Sequence, residues 1–444
     1  MPDISLETIR SAGVVGAGGA GFPTHVKLSG KVDTVLVNAA ECEPLLHKDK
    51  ELLRRHSGEV LSGLQAAMRL TGANSGIIGV KEKYAELIEH LQPMLPGGVE
   101  LRPLADAYPA GDEFVLVYDV LGRVIPPGGL PLNVGAVVIN VETACNVARS
   151  ADSPVTEKYI SVAGAVAKPM TLRVPVGVSL AECVQAAGGA TCQAPSCIVG
   201  GVMMGHLEEN PQTARVDKTT GAVIVLPSEH VVIRRYRRDQ RAVQRIGRSA
   251  CDQCCFCTEL CPRYLLGHPI EPHKAMRSLG FNLLGQANIL GAAYCCECNL
   301  CSLYACPEDL DPQQVCRQAK QKLVQENLRW DKPPFNASRP GLLMAGRKAP
   351  MARLMQKLGL RAFRNEGPLR AELLPARRVG IALKQHVGAP CQPTVKPGQL
   401  VRKGDLLGQP PMRDGQAALG ANVHASIDGK VTDIEHGVVW IEKN

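Results

Sequence analysis

Aromatic residues make up only 4% of the 444-residue chain, with 2 Trp, 6 Phe and 8 Tyr. That is too few for the interleaved stacking platforms that bind single-stranded nucleic acid. Long apolar runs are missing too. The most continuous segments, Phe114 to Tyr118 and Ala222 to Leu226, fall far short of the ~20 residues needed to span a bilayer, so no membrane span is expected. The opening MPDISLETIR has neither a basic n-region nor an apolar h-region, and the chain is expected to stay in a reducing, cytoplasmic compartment. Charged residues are 21% and the formal net charge is +8, which fits neither a disordered polyelectrolyte nor a nucleic-acid arm. Against these scarcities stand 17 cysteines, an odd number, for which a disulfide framework is the wrong expectation.

Residues 1 to about 150 alternate β-branched runs (Thr34 to Val37, Ser75 to Val80, Ala136 to Ile139) with amphipathic stretches (Glu59 to Leu70, Lys81 to Leu91), which argues an α/β layer domain. From about 155 to 232 short strands and Gly-rich turns surround one helix, Ser179 to Ala187, as in a small α+β module. Residues 234 to 325 read as helical. Residues 331–377, with their Pro and Arg content, read as a linker that wraps over other domains. Regular Gly punctuation from 378 to 444 predicts a compact all-β unit.

Cys251, Cys254, Cys257 and Cys261 form C-x2-C-x2-C-x3-C followed by Pro262. Cys295, Cys298, Cys301 and Cys306 repeat it with x4 in the last interval, followed by Pro307. The first is the bacterial ferredoxin run, in which the fourth Cys ligates the other cluster. The expected ligand sets for two [4Fe-4S] clusters are therefore Cys251, Cys254, Cys257 with Cys306, and Cys295, Cys298, Cys301 with Cys261. The extra residue before Cys306 is expected to form a one-residue loop. Zinc is the competing reading, but structural zinc takes two separated pairs rather than three cysteines in x2-x2 register. Cys255, Cys296 and most of the scattered cysteines (Cys42, Cys145, Cys183, Cys192, Cys197, Cys316, Cys391) are expected to be packing residues.

Gly16-Ala17-Gly18-Gly19-Ala20-Gly21-Phe22-Pro23-Thr24, followed by Val26 and Lys27, could let backbone N–H groups approach a phosphate. It follows a helix (Ile4 to Ala12) rather than a strand, so on its own a structural turn is as good a reading. Three further segments accompany it: Asn38 to Pro44 (NAAECEP) after a strand, Ala107 to Glu113 (AYPAGDE), and Asn140 to Asn146 (NVETACN) after another strand.

This set resembles the flavin site of the NADH-binding flavoprotein of respiratory complex I and of the RnfC component of Rnf electron-transport complexes. Over nearly its full length the chain resembles the cobalamin reductases of propanediol-utilization microcompartments. The resemblance implies an FMN/NADH-binding α/β domain (1–152), an SLBB β-grasp domain (153–232), a helical ferredoxin-type 2×[4Fe-4S] domain (233–330), a linker (331–377) and a C-terminal barrel-sandwich hybrid (378–444). It implies that Gly16, Gly18 and Gly19 line the FMN phosphate and ribityl chain, with Lys27 on the flavin side and Phe22 facing the nicotinamide nucleotide. Asn38 and Glu41 would hold the isoalloxazine or ribityl, Glu43 and Glu113 would face the NADH ribose, and Tyr108, Gly111, Asp112, Asn140 and Thr143 would complete the pocket. The chain departs from the complex I pattern at Ala17 and Ala40, where that pattern has Arg and Asp. Glu142 is expected to be a solvated surface carboxylate.

The β-grasp module is the expected holder of a soluble ligand, a corrinoid being the candidate in such families, although His206 beside Met203 and Met204 reads as a solvated histidine rather than a cobalt ligand. The tail has no Lys motif for lipoylation or biotinylation at its hairpin. Seven arginines between Arg234 and Arg248, offset by Asp239, precede the first cysteine run, where charge compensation of anionic cofactors or docking of an acidic partner is the economical reading. No separate acid or base catalyst is expected. The resulting expectation is an electron relay from NADH through FMN and two clusters to a corrinoid, with a cobalamin adenosyltransferase and a microcompartment shell as partners. The alternatives are an Rnf-like component that passes electrons to another iron–sulfur protein, and a zinc scaffold without catalysis.

Overall fold

The computed structural model describes residues 3–279, 287–340, 342–413 and 415–443; residues 280–286 of the helical segment lie outside the described residues. The chain is multidomain, α/β at its N-terminus and all-β at its C-terminus.

In the N-terminal domain β1 (Thr34–Ala39), β2 (Ser75–Lys81), β3 (Val99–Leu104) and β5 (Ala136–Asn140) form a parallel sheet in the order β3-β2-β1-β5, and β4 (Ala107–Tyr108) stands apart from it. Both faces are covered. Val35 and Val37 enter one core with Leu52, Leu64 and Ala144, while Leu36 enters another with Leu116, Val117 and Val138. That explains why these strands are nearly continuous in apolar residues. The strand order reverses between β1 and β5, and the crevice at the carboxyl ends of two such strands is where open α/β sheets bind ligands. Asn38 and Asn140 sit at those ends, opposite each other in register.

The second module is a mixed sheet of β6 (Glu157–Gly164), β7 (Met170–Pro175), β8 (Pro195–Val199), β9 (His206–Glu208) and β10 (Ala222–Pro227). Residues 331–377 contribute β11 (Ala349–Pro350), which pairs with β4, and β12 (Leu369–Leu373), which adds a parallel edge strand to β7. The two-residue period of β10 shows how this sheet is shared. Val223 and Val225 pack into a core with Val379, Ile381 and Val431 of the C-terminal unit, and Ile224 and Leu226 pack into a core with Cys298, Leu300 and Leu354. The module is therefore apolar on both faces, and one face rests on the second cysteine loop. The C-terminal unit consists of small antiparallel sheets from β13 (Arg378–Ala382) to β21 (Val438–Glu442). Among the described residues no helix is long and apolar enough to cross a membrane.

Candidate flavin and iron–sulfur sites

The glycine loop is pinned at its neck by Gly16 N–H to Phe22 C=O (2.9 Å) and Gly21 N–H to Gly16 C=O (3.1 Å). Its tip, Gly18 to Ala20, is exposed, and Gly19 has φ +113° with open space where a Cβ would project. Only glycine takes that backbone without strain. The loop lies over the end of β5: Ala17 N–H donates to Thr143 Oγ1 (2.9 Å), and a Cβ on Gly18 would meet Asn140 at 3.3 Å. The C-terminal unit supports it from behind, with Val387 N–H donating to Gly21 C=O (2.9 Å), while the buried Lys218 of the second module bonds both Gly13 C=O (2.8 Å) and Asn422 C=O (2.6 Å).

Asn38 Nδ2 donates to Gly111 C=O (2.8 Å), and Gly111 N–H points at Cys42 Sγ (3.2 Å). A Cβ at position 111 would press on Cys42 Sγ at 3.1 Å, with Ala40 and Asn38 in ordinary contact at 3.6 Å. Asn140 caps the helix Val141–Arg149 through Oδ1 and donates from Nδ2 to Asp49 (2.8 Å). Lys27 and Glu113 form a half-exposed pair at 2.7 Å. The Glu41 carboxylate accepts from Asp49 N–H (2.9 Å) and Lys50 N–H (3.3 Å) at the start of the helix Lys48–Arg55, and burial, then the nearby Asp49, push its pKa up to about 7. An exposed glycine backbone, two asparagines and a Lys–Glu pair, gathered at the switch point of a parallel sheet, fit a flavin mononucleotide.

Three residues assigned to the pocket by resemblance have side chains engaged elsewhere. Glu43 accepts from Met203 N–H (2.8 Å) and Met204 N–H (2.9 Å) on the glycine turn of the second module, where burial pushes it up to about 7. The buried Tyr108 hydroxyl donates to Cys298 C=O (2.7 Å). Asp112 caps the helix Glu113–Leu121 and grips Arg263, two residues after Cys261, through two bonds of 2.5 and 2.9 Å. The Arg263 guanidinium also lies 3.9 Å from the Phe114 ring centre. The AYPAGDE segment is thus the joint between the α/β domain and the second cysteine group.

The two cysteine loops share one backbone. Gln253 (φ 58°) and Cys255 (φ 67°) flank Cys254 in left-handed conformations, as Glu297 (φ 59°) and Asn299 (φ 62°) flank Cys298. Four non-glycine residues in this region are costly, and the strain is matched position for position. Cys251, Cys254, Cys257 and Cys306 line one cavity. Burial, then the neighbouring Cys251, Cys254 and Cys306, push the Cys257 thiol up to about 12. In the second group burial, then Cys295 and Cys261, push Cys301 up, and burial, then Cys296 and later Cys295, push Cys261 up. Thiols gathered where their ionisation is mutually opposed fit a cationic iron core, which takes thiolates as ligands. Among the described residues no three His, Cys, Asp or Glu side chains close on a point suited to a single metal ion. The extra residue before Cys306 is not a loop. Cys301–Ala305 forms a π-helical turn where Phe256–Glu259 is α-helical, and a π turn is how a helix takes in one more residue.

Four family models match in chain order: the Nuo51 FMN-binding domain over residues 9–149, the SLBB domain over 159–206, the 4Fe-4S dicluster domain over 250–311, and the RnfC barrel sandwich hybrid domain over 361–443. Cobalamin reductase PduS of Citrobacter freundii is 45% identical over 432 residues, 96% of this chain and 94% of that one. The chain belongs to the PduS cobalamin reductase family. The Salmonella typhimurium PduS is 43% identical over 98% of this chain and 95% of its own. The RnfC-type component of the Na(+)-translocating ferredoxin:NAD(+) oxidoreductase complex of Acetobacterium woodii is 34% identical over 59% and 58% of the respective chains. This PduS family member is an oxidoreductase with an FMN-binding domain and a 4Fe-4S dicluster domain.

Beneath its glycine loop lies a network that the sequence reading missed. Glu142 is buried, not solvated: Lys48 (2.9 Å) and Lys158 bond one carboxylate oxygen and Tyr159 N–H (3.0 Å) the other. Burial opposes its charge, but Lys158 and then Lys48 hold the carboxyl below its usual range. Lys158 also donates to Ala17 C=O (3.0 Å), and burial lowers its pKa to about 8. The available signal was Lys158 itself, an ammonium on the same strand face as Ile160 and Val162. Such a residue needs a buried anion.

Proposed function

We propose that this protein passes electrons from NADH to a corrinoid, with FMN as the acceptor of hydride and the two cysteine groups as the ligand sets of its two [4Fe-4S] clusters. When bound, the flavin and the clusters supply the conversion of an electron pair into single electrons. Gly18 and Gly19 present backbone N–H groups to the flavin phosphate and ribityl, with Gly16, whose own N–H is held by Phe22 C=O, lining the loop's neck, over a floor of Asn38, Glu41, Gly111, Asn140 and Thr143. Lys27 stands on the flavin side, paired with Glu113, which faces the NADH nucleotide with Phe22. Glu43 binds the second module rather than a free ligand.

The observation that carries this reading is the joint. Tyr108 and Asp112 leave the flavin-type domain to hold Cys298 and Arg263. The group of Cys261, Cys295, Cys298 and Cys301 is therefore the first to receive electrons, and the group of Cys251, Cys254, Cys257 and Cys306, whose Cys254 is exposed, is the terminal one. Arg263 keeps a fixed positive charge beside the first group. The names of the C. freundii and S. typhimurium relatives support a corrinoid acceptor. Such a reductase would supply reduced corrinoid to an adenosyltransferase, in the microcompartment its family resemblance implies.

Anaerobic assay of the FMN- and cluster-loaded protein with NADH tests the reading. Cob(III)alamin is expected to be reduced at a higher kcat/KM than a ferredoxin. Reduction of the ferredoxin alone would make the protein an Rnf-like exporter and end the corrinoid reading.

A further inference from the structure

A second concave site, used by none of the steps above, lies on the far side of the cysteine loops. It is a cavity of about 140 Å³ between the start of the helix Gln240–Ala250, the second cysteine loop and the start of the helix Pro312–Gln325. Its polar wall is basic. Arg235 and Arg238 share Asp309 as their carboxylate, and the Arg235 Nε is buried with no partner. Arg317 has only a neutral partner, Gln314 Oε1 at 2.5 Å, and among the described residues no carboxylate pairs with it. The cavity's own acid is already engaged: Asp311 Oδ1 accepts from Ser302 Oγ (2.6 Å) and Gln314 N–H (3.1 Å).

The helices Gln240–Ala250 and Pro312–Gln325 begin at the same space, but Asp239 and Asp311 already cap their amino ends and Gln313 N–H is held by Ser302 Oγ (2.9 Å), so the three arginines are the groups left to meet an anion. Guanidinium forks favour a tetrahedral oxyanion. The space admits several water-sized groups, which suits a phosphate and excludes a corrin ring. Its position ties it to electron transfer. Asn299 and Ser302 adjoin Cys298 and Cys301, and Leu310 lines both this cavity and the one formed by Cys251, Cys254, Cys257 and Cys306. Tyr236 closes a further side, with its hydroxyl 3.2 Å from the carbonyls of Val202 and Gly205 on the β-grasp glycine turn.

We infer that this cavity binds a phosphate group, and that the phosphodiester in the nucleotide loop of the corrinoid acceptor is that group, anchoring the acceptor against the cluster domain. The inference rests on the corrinoid reading for the source of the phosphate, though not for the phosphate site. The loaded protein is to be tested by equilibrium dialysis against hydroxocobalamin, against cobinamide (which lacks the nucleotide loop), and against inorganic phosphate, with the wild type and the Arg317→Gln and Arg317→Lys variants. Cobalamin is expected to bind at least tenfold more tightly than cobinamide, and phosphate should compete with cobalamin alone. Arg317→Gln should weaken phosphate and cobalamin about tenfold without changing cobinamide, and Arg317→Lys should restore part of the loss. If phosphate binds and is lost in Arg317→Gln while neither corrinoid binds, the phosphate site stands with free phosphate as its ligand, and the corrinoid reading fails separately. If neither phosphate nor the preference for cobalamin responds to Arg317→Gln in protein of unchanged iron content and circular dichroism, the inference is overturned.

Discussion

The Asp112–Arg263 pair offers a direct measure of how firmly the flavin-type domain is fixed to the first cysteine group. Both side chains are about a tenth exposed, at 11% and 9%, so solvent screens the pair little. Breaking such a pair by removing one partner costs about 3–5 kcal/mol, because the other charge stays buried alone. At 1.4 kcal/mol per tenfold, local opening of the joint should become about 100 to 4,000 times more frequent. The substitution Arg263→Met keeps an apolar stem and removes the charge together with the guanidinium's contact with Phe114. Asp112→Asn keeps an N-cap, since Asn caps as well as Asp. Native-state hydrogen exchange is the suitable assay, because a multidomain chain with bound cofactors has no single unfolding free energy. Peptides covering the helix Glu113–Leu121 and residues 262–268 should lose about two to three and a half decades of protection in Arg263→Met. The double variant should recover much of that loss. A change of less than threefold in the single variant would refute the joint.

Three further outcomes are expected. Tyr108→Phe removes the bond to Cys298 C=O and should cost about 1 kcal/mol at the same joint, with stopped-flow reduction of the flavin by NADH unchanged and reduction of the clusters slowed. Glu142→Gln leaves Lys48 and Lys158 facing each other beneath the glycine loop; the cost of about 3–5 kcal/mol should appear as FMN lost on gel filtration, and Lys158→Met added to it should restore part of the retention. Lys218, lowered by burial to about 7 from its ordinary 10.5, gives the chain a pH dependence of known sign. Below pH 7 both folded and unfolded chains carry the proton and the full burial penalty applies. Between pH 7 and 10.5 only the unfolded chain holds it, so stability of the C-terminal contact should rise by up to about 1.4 kcal/mol per pH unit. Hydrogen-exchange protection of peptides around Asn422, corrected for intrinsic pH dependence, should show that slope flattened in Lys218→Met.

The relay was legible in the sequence because cluster ligation depends on local spacing, and two loops with three cysteines in the same register can curl in only one way. Its wiring was not legible. Nothing local to Tyr108 or Asp112 reveals that their side chains leave the pocket for partners 190 and 151 residues away. A motif places a segment at a site, and the direction of each side chain comes from tertiary packing. Glu142 was misread for a related reason. A lone acid two residues after a strand looks solvated, and only the fold delivers Lys48 from one side and Lys158 from the other. Leu369–Leu373 does alternate apolar and polar residues (Leu-Arg-Ala-Glu-Leu), the period of a strand, but it is short, only its two end residues are half-buried, and it lies in a Pro- and Arg-rich stretch that reads as linker.

That strand sets an order on biosynthesis. The outer edge of β7 is covered by residues that leave the ribosome nearly 200 positions after it. Until then the nascent chain displays a row of unpaired backbone donors and acceptors, a template for any other strand in reach. The flavin-type domain and the cysteine loops are already synthesised during this interval, so protein truncated before residue 369 should still contain every cofactor ligand yet be prone to strand-mediated association. The cofactor machinery is thus complete in sequence well before the chain that bears it is safe from its own edge.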